Sequence, residues 1–548
     1  MVRAVDMQRI TREDALWCAL ALLAGALRLA RLDAPLTNAE AASALLALAA
    51  LRGEPVVLPN PLLGNAQMAT FALLGAGDAW ARLLPALGGV ALCLLPMASR
   101  TSLGRRPALL MGALLALSPT AWFVARESGG AMLAWALALA AQLAWRDNRP
   151  WPAAIAFGLL LAAGRDAFVP AAISLLAALV AGASPAAMIR AWPAALLGFL
   201  LAATGLLLRP SGLGDAFYGF TRWFSPPPDS LSATRLILGL LISEPLILLG
   251  APLSFVRRPT RDALAWLTWV IGGALSVFIG LGSDAAALLP VVVGAAGLAA
   301  GVYDALVSEM AMRPSWMWGI AVVMLAYAGL GVIQYAGQGR SEWLLTPPVA
   351  MTLLVALAAS LGWASGDYRL PLANIASAGS ALLMVYTLGA GWQMNLARSD
   401  HPGEAYRRDA VAPGLVALRH DLRQISIRVT GEPDALAVQV VGEAPPALRW
   451  ALRGQRNVTY SDQPTAAGLV LTPPARQPPA VGRFVGSSRE IIVRAPLSEL
   501  SCSPLPQGGF DCLGLARWLA FREVRNLQSE RWVLWLRDDI ARRGGGIR

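Results

Sequence analysis

The run APLTNAEAASALLALAALRGEP, Ala34–Pro55, follows directly on an apolar span that ends in Arg28 and Arg31. GDAWARLLPAL, Gly77–Leu87, closes the segment and opens the next apolar span. Two apolar spans thus enclose a polar, proline-bounded loop, residues 34–80, which carries its own apolar helical segment, Ala41–Leu51. Connections between helices are commonly a handful of residues, and loops as long as this one usually have a task. We read it as the rim of a site on the outer face of a membrane. Glu40 lies near its start, and Glu127, further along the chain, is the second acidic member of that site.

The composition sets the class. The chain has 548 residues, is 56% hydrophobic and only 14% charged, and its mean hydropathy is +0.54. A soluble domain carries about a quarter charged residues. Apolar runs near 20 residues recur through the first ~390, each long enough to cross ~30 Å of hydrocarbon. The expected class is a polytopic α-helical membrane protein with a small extracytoplasmic α/β domain at its C-terminal end. All 45 basic residues are Arg, and the net charge is +11. Arginines at span ends follow from the positive-inside rule, so the basic balance gives no ground for a nucleic-acid partner. MVRAVDMQRITRED at the start shows no cleavage-site pattern, so the first span is expected to stay as an anchor.

Hydropathy gives about thirteen spans, centred on residues 14–30, 81–98, 108–124, 131–145, 151–163, 168–181, 192–208, 236–255, 263–280, 285–302, 316–335, 344–363 and 371–394. The pair 151–181 is short and interrupted by Gly164, Arg165 and Asp166. With Arg3, Arg9 and Arg12 inside, the even-numbered spans return to loops holding Arg100, Arg105, Arg106, Arg146, Arg149, Arg190, Arg257, Arg258, Arg261, Arg313 and Arg369. That bias puts the N-terminus in the cytoplasm and the loops 34–80, 126–130 and 210–234 outside, together with everything after Asp400. An odd number of spans satisfies it. The expected location is the cell inner or plasma membrane. FYGFTRWFSPPPD in the outer loop 210–234 reads as an interfacial aromatic belt or as the wall of a lipid-facing groove.

The expected division is a membrane domain over 1–395, a linker over 396–423 and a domain over 424–548. In the last, ALAVQVVGE, AGLVLTP, REIIVRAP, ARWLAFREV and RWVLWLR read as strands, and PPALRWALRG reads as a helix. Strand–helix–strand order points to an α/β domain. Cys18 and Cys93 sit in apolar spans as small core residues. Cys502 and Cys512 flank a Pro- and Gly-containing loop, and an extracytoplasmic location favours a disulfide between them.

Ionisable groups at or within lipid are expensive, so their default reading is functional. Glu40 has a structural alternative: with Thr37 or Asn38 as N-cap, a first-turn Glu suits the helix dipole. Glu127 ends the third span, and Arg126 beside it is a charge partner for an anion or an interfacial snorkel. Glu244 begins an apolar segment, with Pro245 fitting a first helical turn. Asp166 and Asp284 lie in short outer loops, where solvation is the simpler account. Converging carboxylates provide a general base, orient a hydroxyl or hold a divalent cation. The spans contain no His, since His401 and His420 both come later, so a His-ligated metal or His base there is excluded.

At this point the sequence resembles a known group. RLARLDAPLTNAEAASALLALAALRGEP is similar to the first outer loop of C-type membrane glycosyltransferases of the protein-mannosyltransferase and aminoarabinose-transferase kind. NPLLGNA, GDAWARLLPALGG, GALLALSPTAWFVARESGG and ISEPLILLG resemble later segments in order. PPALRWALRGQRNVTY and ARWLAFREVRNLQSERWVLWLRDD resemble a bacterial and archaeal subfamily with a soluble C-terminal domain. The resemblance implies transfer of a sugar from a polyprenyl-phosphate donor to an acceptor on the outer face, in contact with membrane lipid. The activating Asp of the family falls on Ala39, leaving Glu40. Arg126-Glu127 matches a second acidic motif, but Gly129, Gly130 and Ala131 replace its continuation. The subfamily's first-loop His residues are Thr37, Asn38 and Gly64, and its Glu-Lys-x-Pro-Trp segment is absent near 282–289.

The implied roles are Glu40 or Glu127 as base and Arg126, Arg28 or Arg82 as a seat for the phosphate, with Asn38 and Glu244 also touching substrate. A catalytically degenerate relative that handles lipid-linked glycans during cell-envelope assembly is the second reading. A transporter is the third, although the internal repeats and broken helices of transporters are not evident in the sequence.

Overall fold

Polar residues that can cap a helix stand at the start of many of the apolar runs, and these define the helices. Thr11 caps the first, its side chain accepting from the Asp14 amide while the Asp14 carboxylate accepts from Thr11. Asn60, Ser118, Ser232 and Thr260 cap later helices through the same side-chain-to-backbone bond. The computed structural model describes residues 11–312, apart from 223–230, 257–259 and 283, scattered residues between 318 and 364, and 369–543. In that last stretch 465–467, 475–482, 496–502, 505–509, 512–517, 519–520 and 525–526 are excepted.

In chain order the helices are α1 (Arg12–Leu29), α2 (Asn38–Leu51), α3 (Pro61–Leu74), α4 (Asp78–Ala98), α5 (Arg100–Leu103), α6 (Arg105–Leu117), α7 (Pro119–Ala125), α8 (Ala131–Arg146) and α9 (Pro150–Leu161). There follow α10 (Phe168–Val180), α11 (Pro185–Arg190), α12 (Trp192–Ala203), α13 (Gly212–Thr221), α14 (Ala233–Ser243), α15 (Pro245–Leu253), α16 (Arg261–Phe278), α17 (Leu289–Met312) and α18 (Arg369–Trp392). A single 3-10 turn, Gly164–Ala167, joins α9 to α10.

Among the described residues three helices are long and apolar enough to cross a membrane, or five if each of two bent pairs counts as one span. The bends correct the reading of 108–124 and 236–255 as straight helices. α6 and α7 meet at 65° at Ser118, and α14 and α15 meet at 85° at Glu244. Pro119 and Pro245 cause both breaks: proline lacks the amide that would continue the ladder, and its preceding residue is pushed out of helical geometry. Most of the segments expected at 316–335 and 344–363 lie outside the described residues.

The chain divides into two compact units. The first comprises 1–32, 57–75 and 79–397. The second comprises 33–56, 76–78 and 398–548. α2, in the first outer loop, falls in the second unit. The stretch expected as a linker holds β1 (Asp409–Val411) and the first half of α19 (Pro413–Thr430).

The second unit is built on a six-stranded mixed sheet. Its strands are β1, β2 (Val438–Val441), β3 (Val458–Ser461), β4 (Leu469–Thr472), β5 (Phe484–Arg494) and β8 (Gln528–Arg537), in the order β1-β5-β8-β4-β2-β3. β2 pairs in parallel with both β3 and β4, and the remaining pairs are antiparallel. α20 (Pro446–Ala451) joins β2 to β3. Val440, Leu471, Ile492 and Leu534 from the sheet and Leu418 from α19 are buried. A separate pair, β6 (Ser503–Pro504) and β7 (Phe510–Asp511), runs antiparallel with Ser503 opposite Asp511. Cys502 and Cys512 lie outside the described residues. ARWLAFREV is not a strand where it is described: Trp518 and Phe521 are helical, and the Trp518 indole donates to the Gly403 carbonyl.

Candidate functional site

In the first unit α7 stops at Arg126, and the turn Arg126–Gly130 gathers charge. The Arg126 guanidinium donates to the carbonyls of Asn395 (2.6 Å) and Arg31 (3.1 Å). Arg82, near the start of α4, donates to the next carbonyl, Leu32 (3.1 Å). Arg31 itself donates to the Leu396 carbonyl (2.7 Å) from a left-handed backbone at φ 51°. Three guanidiniums thus meet at the end of α1 and on the π-helical turn Gln393–Ala397. A guanidinium is a planar fork of N–H donors that suits oxygen acceptors such as backbone carbonyls and phosphate. The Ser128 hydroxyl donates to the Ala81 carbonyl (3.0 Å) and accepts from Gln67 Nε2 (2.7 Å), which fastens the turn to α3 and α4. Glu127 sits half-buried between Arg126 and Ser128.

A further carboxylate reaches this turn. A Cβ on Gly130 would lie 1.7 Å from Asn60 Nδ2 and 2.9 Å from an Asp166 carboxylate oxygen. That oxygen accepts from Asn60 Nδ2 at 2.8 Å. Enclosure of the carboxyl raises its pKa to about 6, against the lowering effect of the Asn60 bond, with nearby Asp284 raising it further. The residue as a whole is half-exposed while its carboxyl is enclosed. Asp166 therefore does not fit the reading as a plain solvated loop residue. The signal available in the sequence was its place in GRD, a polar interruption between two apolar runs.

Two expected site residues are engaged elsewhere. Arg28 is fully buried, and its guanidinium donates to the carbonyls of Leu115 (2.9 Å) and Ala116 (3.3 Å). It meets the C-terminal end of α6, where carbonyls lack amide partners and a cation is favoured. Glu244 is fully buried at the bend between α14 and α15. Its Oε1 accepts from the Ser118 hydroxyl (2.5 Å) and the Thr120 amide (2.9 Å), at the start of α7. The Thr120 and Ser243 hydroxyls are 3.3 Å apart. Glu244 thus pins the break of one bent pair to the break of the other.

In the second unit Glu40 is buried, and one carboxylate oxygen accepts from the Thr37 amide (2.9 Å) and hydroxyl (3.0 Å). This is the helix-capping alternative, with Thr37 as the cap. The Asn38 side-chain oxygen accepts from the Ala447 amide (3.1 Å), so Asn38 ties α2 to α20 rather than standing ready for substrate. Asp409 of β1 is raised chiefly by burial. Arg494, the Asn38 amide and Arg407 oppose the rise, and Glu40 adds to it. Asp409 is thus a second carboxylate beside the start of α2 that the sequence did not single out. Among the described residues no three His, Cys, Asp or Glu side chains are grouped to hold a metal ion.

No family model and no curated protein matches the chain. Its structure resembles that of ArnT from Cupriavidus metallidurans in the apo state, with a TM-score of 0.51 and 18% identity over 84% of this chain and 92% of that one. The fold is that of the C-type glycosyltransferases. The same enzyme bound to undecaprenyl phosphate gives 0.49, and an oligosaccharyltransferase from Archaeoglobus fulgidus gives 0.40 at 13% identity, covering 83% of this chain and 64% of that one. These two values are too low to add weight. In the first unit, the turn after α7 brings Arg126 and Glu127 together with Arg31 and Arg82.

Proposed function

We propose that the protein is a membrane glycosyltransferase that moves a sugar from a polyprenyl-phosphate donor to an acceptor on the extracytoplasmic face. The observation that carries this reading is the meeting of Arg31, Arg82 and Arg126 beside Glu127, in a chain with a C-type fold. In the reaction an acceptor hydroxyl gives its proton to a carboxylate and its oxygen bonds to the anomeric carbon. The bond from that carbon to the phosphate breaks, and its electron pair leaves with the polyprenyl phosphate. Such a step needs a base at the nucleophile and fixed positive charge at the departing phosphate. Glu127 or Asp166 supplies the base and Arg126 and Arg82 seat the phosphate. Glu40, already bonded to Thr37, is the weaker candidate. On the orientation set by arginines in the short loops, this turn and the second unit face away from the cytoplasm.

A second reading is a protein that binds a lipid-linked sugar without transferring it. Ala39 at the family's activating position and the capping role of Glu40 favour it. Membranes containing the protein, supplied with labelled polyprenyl-phosphate sugar, separate the two. Transfer reads as release of polyprenyl phosphate, lost in Glu127→Gln or Asp166→Asn at unchanged protein level. Full release in both single variants and in their combination removes these carboxylates from the mechanism.

A further inference from the structure

The second unit contains a trough whose two walls differ in chemistry. α2 buries Ala41, Ala44, Ala47 and Leu48 and turns Ala42, Leu45 and Leu46 into a cavity of about 870 Å³. The opposite wall carries Arg449, Arg453, Arg456 and Tyr460. A smaller recess of about 250 Å³ shares Arg52 and Arg453 with it and adds Arg419 and Arg423. The volume is in the range that holds a small organic ligand.

The charges are not evenly compensated. Asp78 lies 3.7 Å from both Arg453 and Arg419, and Glu432 pairs with Arg456 at 3.1 Å. Arg52, Arg423 and Arg449 have no carboxylate within ion-pair distance among the described residues. Arg449 lies 4.9 Å from the centre of the Tyr460 ring, which fixes the guanidinium without neutralising it. Among the described residues, Glu54 is the one carboxylate on the larger trough. A leucine- and alanine-lined wall beside uncompensated guanidiniums suits a molecule that is apolar along its length and anionic at one end. A free anion would leave the α2 wall unused, and a nucleic acid would meet apolar side chains along its backbone.

We infer that this trough binds an anionic lipid, its chain along Leu45 and Leu46 and its phosphate between Arg52 and Arg449. Guanidinium forks bind phosphate oxygens in pairs, which makes phosphate the best-matched head. Identifying this lipid as the sugar acceptor rests on the transferase reading, whereas the binding itself does not.

The test uses the full-length protein in detergent with fluorescent short-chain phosphatidate, the same-chain phosphatidylcholine, and inorganic phosphate as competitor. Phosphatidate is expected to bind at least ten times more tightly than phosphatidylcholine and to resist displacement by millimolar phosphate. Arg52→Gln with Arg449→Gln, which removes two arginines near an anionic head, weakens phosphatidate about 30-fold, equivalent to about 2 kcal/mol. Both side chains are exposed and outside ion pairs among the described residues, and only the Arg449 contact with the Tyr460 ring is lost, so the thermal midpoint of the double variant stays within a few degrees of the wild-type value. Equal affinity for the two lipids, an unchanged affinity in the double variant, or displacement by phosphate each overturns the inference. Neither donor nor turnover enters the measurement. A negative result therefore leaves the transferase reading standing, and loss of that reading leaves the trough.

Discussion

Replacing Glu244 separates a structural carboxylate from a catalytic one. In the folded chain its Oε1 receives the Ser118 hydroxyl and the Thr120 amide, and all three groups are buried. Glu244→Ala strands both donors. A buried donor left without a partner costs about 1–3 kcal/mol, and truncation of the side chain adds a cavity term. The expected loss is about 3–5 kcal/mol. Glu244→Gln keeps an oxygen for the same two donors. It also removes a carboxylate whose Oε2 makes no hydrogen bond, so its cost is expected to stay within about 1 kcal/mol. Thermal denaturation in one detergent, followed by fluorescence-detected size exclusion, reads the ranking. Transfer per folded molecule should be unchanged in Glu244→Gln. A Gln variant as unstable as the Ala variant would refute the hydrogen-bond reasoning. A stable Gln variant without transfer would return Glu244 to the substrate site.

Three other perturbations follow from the site and the fold. Gly130→Ala forces Asn60 aside; Asn60 caps α3 through the Leu63 amide and donates to Asp166, so about 2–4 kcal/mol of stability should be lost, read in the same denaturation assay. If Asp166 is the base, it works only when deprotonated, so transfer should rise as pH increases through about 6, and Asp166→Asn should abolish that rise in a pH–rate profile. The antiparallel pair β6–β7 lies within CSPLPQGGFDC, and non-reducing peptide mapping should recover Cys502 linked to Cys512; two free thiols in protein purified without reductant would contradict this.

The class of fold was legible because spans long enough for a bilayer leave a composition no soluble domain has, and because β2, β4, β5, β8 and α20 carry short apolar runs between turn residues. The two bends were half-legible. Ser118-Pro119 and Glu244-Pro245 each place a polar residue and a proline inside an apolar run, a local signature of a new helix start. What no local reading shows is which breaks meet, since Ser118 and Glu244 are 126 residues apart. The same holds for Arg28: a span-end arginine looks alike in sequence whether it faces a ligand or, as here, donates to the end of a helix 87 residues on. Glu40 was read with both its alternatives, and the structure supplies the capping bond. Asp166 reads as a solvated loop residue, because a carboxylate in a short loop gives no sign of enclosure until Asn60 and Gly130 close around it.

The most direct test of the account is the lipid-linked sugar pool of a strain lacking the gene, measured by mass spectrometry of extracted polyprenyl phosphates. A glycosyltransferase with its phosphate seat at Arg126 predicts that one polyprenyl-phosphate sugar accumulates in the deletion. It should fall to the parental level with the wild-type chain and stay high with Arg126→Gln, where loss of one charged contact of about 1.5–3 kcal/mol cuts turnover roughly 10- to 150-fold. An identical pool in all four strains would contradict transfer from a polyprenyl-phosphate donor.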